Sequence, residues 1–133
     1  MKLKLFIIVL FIGLLWQMPK AQVMVQVVTK KIEKTFTYRE GYEVNVEGEK
    51  AEVIVESWNR AEIRITLELS ARHPDKTIAE RDLAAIKYLA EKVKNKIYVR
   101  NYLSEGEGQP KAEAALAARY LIYVPEECPV YLK

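Results

Sequence analysis

The segment Ala61–Ala71 constrains the fold most. Ala61, Ile63, Ile65, Leu67, Leu69 and Ala71 alternate without a break with Glu62, Arg64, Thr66, Glu68 and Ser70. Successive side chains of a strand point to opposite faces, so this segment has one apolar and one polar face. A helix would scatter these residues around its circumference. A strand of this kind must be covered on one side by a core and wetted on the other, as in antiparallel sheets.

Shorter segments repeat the pattern. Val23–Val28 is apolar and extended. Ile32–Tyr38 sets Ile32, Phe36 and Tyr38 against Glu33, Thr35 and Thr37. Tyr42, Val44 and Val46 alternate with acids and Asn45, and Gly48-Glu49 then signals a tight turn into Ala51–Glu56. Asn59-Arg60 reads as a turn before the long strand. Lys96–Leu103 and Leu116–Val124 are further strands, with Pro125 closing the second. Ser104–Ala112 is a polar loop with Gly106, Gly108 and Pro110, the segment best suited to local disorder.

The period changes after Pro74. Asp75 is a candidate N-cap, and Ile78, Ala79, Leu83, Ile86, Leu89, Ala90 and Val93 recur at helical spacing. This predicts a helix over Lys76–Lys94, stopped at Asn95. Burying its larger apolar side chains is worth on the order of 10 kcal/mol gross. Ordering the chain costs about 1–2 kcal/mol per residue, so the helix needs a sheet to pack on. The expected fold is α+β, a mainly antiparallel sheet with one amphipathic helix packed on it.

The chain has 133 residues and a formal net charge of +3. Lys2, Lys4 and Lys20 are the only charges in the first 21 residues, so the excess sits there and residues 22–133 are balanced. Two lysines, the apolar run Leu5–Trp16, and a polar stretch ending in Ala21 follow the order of a secretory signal peptide. The run is shorter than the roughly 20 apolar residues a spanning helix needs. Cleavage is expected after Ala21, leaving one small domain over 22–133 in the periplasm, cell envelope or medium. The alternation Val130–Lys133 stops in mid-pattern, so C-terminal truncation is expected, with self-association through that edge.

Candidate chemistry is sparse. Nucleophilic catalysis needs a nucleophile, a base and a group that orients the base. His73 is the only histidine and precedes Pro74 at a corner. Cys128 is the only cysteine and follows Glu126-Glu127, whose charge disfavours a thiolate. These two residues cannot supply a four-ligand zinc site. Gly106-x-Gly108 lacks the lysine and helix start of a phosphate loop. The acids lie on outward strand positions, and no pair stands out. The expectation is therefore no catalytic residue, no metal and no cofactor. The one candidate binding feature is Tyr98-x-Arg100-x-Tyr102, two rings and a guanidinium on one strand face. Such a ladder either packs along an outward strand face, where tyrosine is favoured, or stacks on bases or sugar rings or docks a protein. Nucleic acid is disfavoured, because the exported domain carries no net positive charge.

The run EGEKAEVIVESWNRAEIRITLEL at 47–69 is a turn, a strand, a turn at Trp58-Asn59-Arg60 and a long alternating strand. Together with KIYVRNYL and ARYLIYVPEECPVYLK it resembles the N-terminal region of secreted bacterial proteins that carry an adhesin-type domain of unknown function, built from β-repeats. The resemblance spans about Thr35–Lys133. It implies a non-catalytic, adhesin-like module of the cell envelope with a surface, glycan or protein partner. Alternatively, it implies a cap over the first rung of a β-repeat stack. It transfers no catalytic residue.

Overall fold

The computed structural model describes residues 24–103 and 111–133. The expected signal segment and most of the expected polar loop lie outside these residues. The described chain forms β1 (Gln26–Thr37), β2 (Glu43–Gly48), β3 (Ala51–Trp58), β4 (Glu62–His73), α1 (Lys76–Ala85), β5 (Lys87–Val93), β6 (Lys96–Tyr102), β7 (Ala115–Pro125) and β8 (Val130–Leu132). The fold is α+β, mostly strand with one helix.

The strands make two four-stranded sheets, ordered β1-β4-β7-β3 and β5-β6-β2-β8. Their inner faces share one core. Ile63, Ile65, Leu67 and Leu69 of β4 and Tyr120, Ile122 and Val124 of β7 meet Val44, Val46, Ile97 and Val99 of the second sheet. The apolar face of the long strand is therefore covered chiefly by a second sheet. The helix packs beside it, against β1 and β4, with Ala79 seated on Ala71 and Ala114.

The antiparallel expectation holds only in part. β1–β4, β4–β7 and β5–β6 are antiparallel, whereas β2–β6, β2–β8 and β3–β7 are parallel. The tight turns are the reason, because most of them change sheet instead of closing a hairpin. The turn at Glu49-Lys50 carries the chain from β2 in one layer to β3 in the other. Gly48 is required at that crossing. A Cβ there would lie 2.6 Å from the Ala51 Cβ and 2.9 Å from the Tyr120 ring. Among the described strands only β5 and β6 are both consecutive and hydrogen-bonded neighbours.

The helix is shorter than its periodicity predicts. Asp75 does cap it, its Oδ1 accepting from the Thr77 N–H at 2.9 Å. It ends at Ala85, and Lys87–Val93 becomes an edge strand. Lys94 adopts φ 56° and turns the chain back into β6. Asn95 is part of this hairpin turn and not a helix stop. Its Nδ2 donates to the Gly41 carbonyl, and its own carbonyl accepts from the Glu43 N–H. Pairing with β6 outweighs the local helical spacing. A helix this short is marginal without packing, and Leu89 and Val93 lie on the outer side of the sheet, opposite Ala90.

Gln26–Val28 and Ile32–Thr37, parts of two separately expected segments, lie in one twelve-residue strand, unbroken in register with β4. Its inner face carries Ile32 and Phe36, as the alternation implies, and by the same parity Lys30 and Lys34.

Candidate functional site

β6 alternates buried Ile97, Val99 and Asn101 with Tyr98, Arg100 and Tyr102, so the tyrosine–arginine ladder stands on the outer face of the second sheet. The register places Glu91, Tyr98, Asn45 and Tyr131 in one cross-strand row, from β5 through β6 and β2 to β8. The neighbouring row contains Leu89, Arg100 and Glu47. The ladder is thus extended sideways by Tyr131, which sequence spacing could not have joined to it. Tyr131 is 53% exposed and Tyr102 45%.

The electrostatics of the face are set by Arg100. Its Nε lies 3.0 Å from a Glu47 carboxylate oxygen, and its guanidinium carbon 5.7 Å from the Tyr98 ring centre. The hydrogen bond to the Tyr102 hydroxyl, followed by the Glu47 charge, raises the Arg100 pKa. The guanidinium thus lies beside the Tyr98 ring and pairs with Glu47. Asn45 Nδ2, in the row between Tyr98 and Tyr131, is covered and makes no hydrogen bond among the described residues. The face offers planar hydrophobic surface, a held cation and rim carboxylates, and a rigid sheet beneath keeps them in place.

The anchoring lies one layer down. The Tyr120 hydroxyl donates to Asn101 Oδ1 at 2.7 Å, and Asn101 Nδ2 donates to the Glu49 carbonyl at 3.0 Å. The Leu103 N–H donates to the Glu49 carboxylate. A buried polar network therefore ties β6, which carries the ladder, to β7 of the facing sheet. Burial and then the charge of Tyr102 push the Tyr120 phenol pKa far up, so it stays a donor.

The other residues considered from sequence are dispersed. His73 Nδ1 accepts from the Asp75 N–H at the corner before the helix. Cys128 is buried beneath the β7–β8 link, its Sγ 3.5 Å from the Tyr42 carbonyl. Burial first, then Glu127 and Glu43, push its thiol pKa up to about 11. Among the described residues no three His, Cys, Asp or Glu side chains are grouped to hold a metal, and no helix is long and apolar enough to cross a membrane.

Three features escaped the sequence. Asp82 is buried and accepts from the backbone N–H groups of Glu113 and Ala114 at 2.9 and 2.7 Å. Trp58 stacks on Tyr123 at 5.0 Å, with Arg60 and Arg64 each about 5 Å from its ring centre. A recess of about 370 Å³ opens between Thr35–Thr37, Arg39, Tyr42 and Lys92. Only the parity of Lys30 and Lys34 with Ile32 and Phe36 hinted that one side of the core is lined with cations. Compared with protein-family models, with curated proteins and with solved structures, the chain matches none.

Proposed function

We propose that this chain is a non-catalytic, adhesin-like module exported to the cell envelope or medium, and that it holds a glycan or protein partner on the outer face of its second sheet. The observation that carries this reading is the outward row of Tyr98, Arg100 and Tyr102, widened by Tyr131 and fixed on a rigid sheet. The expected export signal and the resemblance to secreted adhesin-type proteins agree with it. Aromatic contacts are worth about 0.5–1.5 kcal/mol each beyond their buried area. Tyr98→Ala with Tyr102→Ala should therefore weaken attachment to the cognate surface or glycan by tenfold or more, with an unchanged circular dichroism spectrum. Retention of full binding by that variant refutes the assignment of this face.

A second reading, a cap on a stack of β-repeats, draws on a different observation. Among the described strands β8 pairs only with β2, and Leu132, opposite Val46 in register, is still 60% exposed. At the corresponding end of the first sheet, Val55 of β3 is 41% exposed although it shares the inner face. An open edge with inward apolar residues invites another strand. On this reading the chain self-associates through the β8 edge, and Leu132→Lys should abolish concentration-dependent sedimentation. A chain that stays monomeric at every concentration rules the cap out.

A further inference from the structure

The two ends of the sandwich differ in chemistry. Where β3 and β8 end the sheets, the inner face is apolar and open. Where β1 and β5 end them, it is basic. Lys30 and Lys34 lie opposite the buried Leu69 and Ile65 of β4 in register, so both point toward the space between the sheets. Lys92 of β5, opposite Ile97, points there from the other layer. Lys30 Nζ stands 5.2 Å above the Tyr88 ring, and Lys92 Nζ 5.0 Å above the Tyr42 ring while donating to its hydroxyl at 3.2 Å. These contacts hold the cations at the slot. Glu33 and Glu91 face the other way, and Glu33 is engaged by Arg64 at 3.5 Å.

The recess at the upper end of this slot adds a second kind of group. It is walled by Thr35, Phe36, Thr37, Arg39, Tyr42 and Lys92, with no carboxylate among them. The Tyr38 N–H donates to Ala61, so the even-numbered residues here direct their backbone groups to β4. By the alternation of an antiparallel ladder, the N–H and C=O groups of Thr35 and Thr37 point to the free edge. Two cations, an open stretch of backbone and two ring faces thus converge on one cavity, while the Thr35 and Thr37 side chains share the outward parity of Glu33.

The geometry points to an anionic sugar as the occupant: a carboxylate- or sulfate-bearing unit of an acidic polysaccharide, its charge between Arg39 and Lys92. Its hydroxyls would meet the free backbone groups of Thr35 and Thr37, and its chain would run down the slot past Lys34 and Lys30. Nucleic acid is the competing polyanion, and a single-stranded DNA probe separates the two. The site is separate from the outer-face ladder and stands whether or not that reading holds.

The test is calorimetric titration of the full chain at about 0.15 M salt, where exposed charges are screened beyond roughly 8 Å. The probes are an oligogalacturonate, its methyl ester, a sulfated glycosaminoglycan oligosaccharide, and a single-stranded DNA of equal charge. One or both acidic oligosaccharides should bind, the neutral ester should not, and Arg39→Gln with Lys92→Gln should weaken binding at least tenfold. Binding of the uronate or of the sulfated probe alone identifies the anionic group. Tyr98→Ala with Tyr102→Ala should leave this binding unchanged, which separates it from the outer face. An unaltered melting temperature of the Arg39/Lys92 variant shows that the fold is intact. Lys30→Gln with Lys34→Gln offers an independent second variant in the slot. The proposal is overturned if neither acidic oligosaccharide binds, if the ester binds equally, if DNA binds as tightly, or if both charge variants bind like the parent.

Discussion

Asn101 and Tyr120 show how much rests on single polar atoms in this core. Both are buried, and each satisfies the other. Tyr120→Phe deletes the donor and leaves Asn101 Oδ1 dry, a loss of about 1–3 kcal/mol that urea denaturation should register. Asp82 acts similarly at the helix. Burial pushes its carboxyl pKa up, but the N–H of Ala114, the Arg81 side chain and the N–H of Glu113 outweigh that, and the net shift is downward. A carboxyl lowered on folding stabilises the native state above its unfolded pKa of about 4 and loses that contribution as pH falls through the folded value. The melting temperature of the parent should therefore drop faster below pH 4 than that of Asp82→Asn, which at pH 7 starts lower by about 1–3 kcal/mol. Cys128, with its thiol pKa pushed up to about 11, should resist alkylation at pH 8 in the native state and react once the chain is unfolded in urea. Its inert character follows first from burial, and only then from Glu127, the neighbour visible in the sequence. The roles of Asn101 and Asp82 are not visible there, because their partners lie 19 and more than 30 residues away.

At the scale of elements, segments with a period of two along their whole length were legible. The long strand β4 and the strands β6 and β7 fall where the alternation places them, and so does the outward ladder on β6. The failure came where two periods fit the same residues. Ile86, Leu89, Ala90 and Val93 satisfy a helical stripe, while Lys87–Val93 forms a strand because β6 offers it a full antiparallel partner. Lys94, the last residue of the expected helix, gives a test of the turn that replaces it. At φ 56° the glycine of Lys94→Gly relieves a left-handed residue, so the variant should be as stable as the parent or more stable by up to about 1 kcal/mol. Asp75→Ala, by contrast, should cost about 1 kcal/mol, since that cap is present.

For the whole molecule, order along the chain and order in space part company. Turn signals at Gly48 and Asn59 were visible in the sequence, but nothing local tells a hairpin from a turn that crosses between layers. The pairing of β2 with β8 joins residues such as Val44 and Val130, and that of β3 with β7 joins Val53 and Tyr120. The sheet-changing turn at Gly48 therefore has a consequence for assembly in time. β3 and β4 share a sheet but not a border, because β7 must be inserted between them. The first sheet cannot close until Ala115–Pro125 has been delivered, and the second gains its edge strand only when Val130–Leu132 arrives. Proteins dominated by such distant pairings fold in roughly milliseconds to seconds. A chain emerging from its N-terminus stays without its central strand for most of its length, open and threadable until the last fifth of the sequence is free to join.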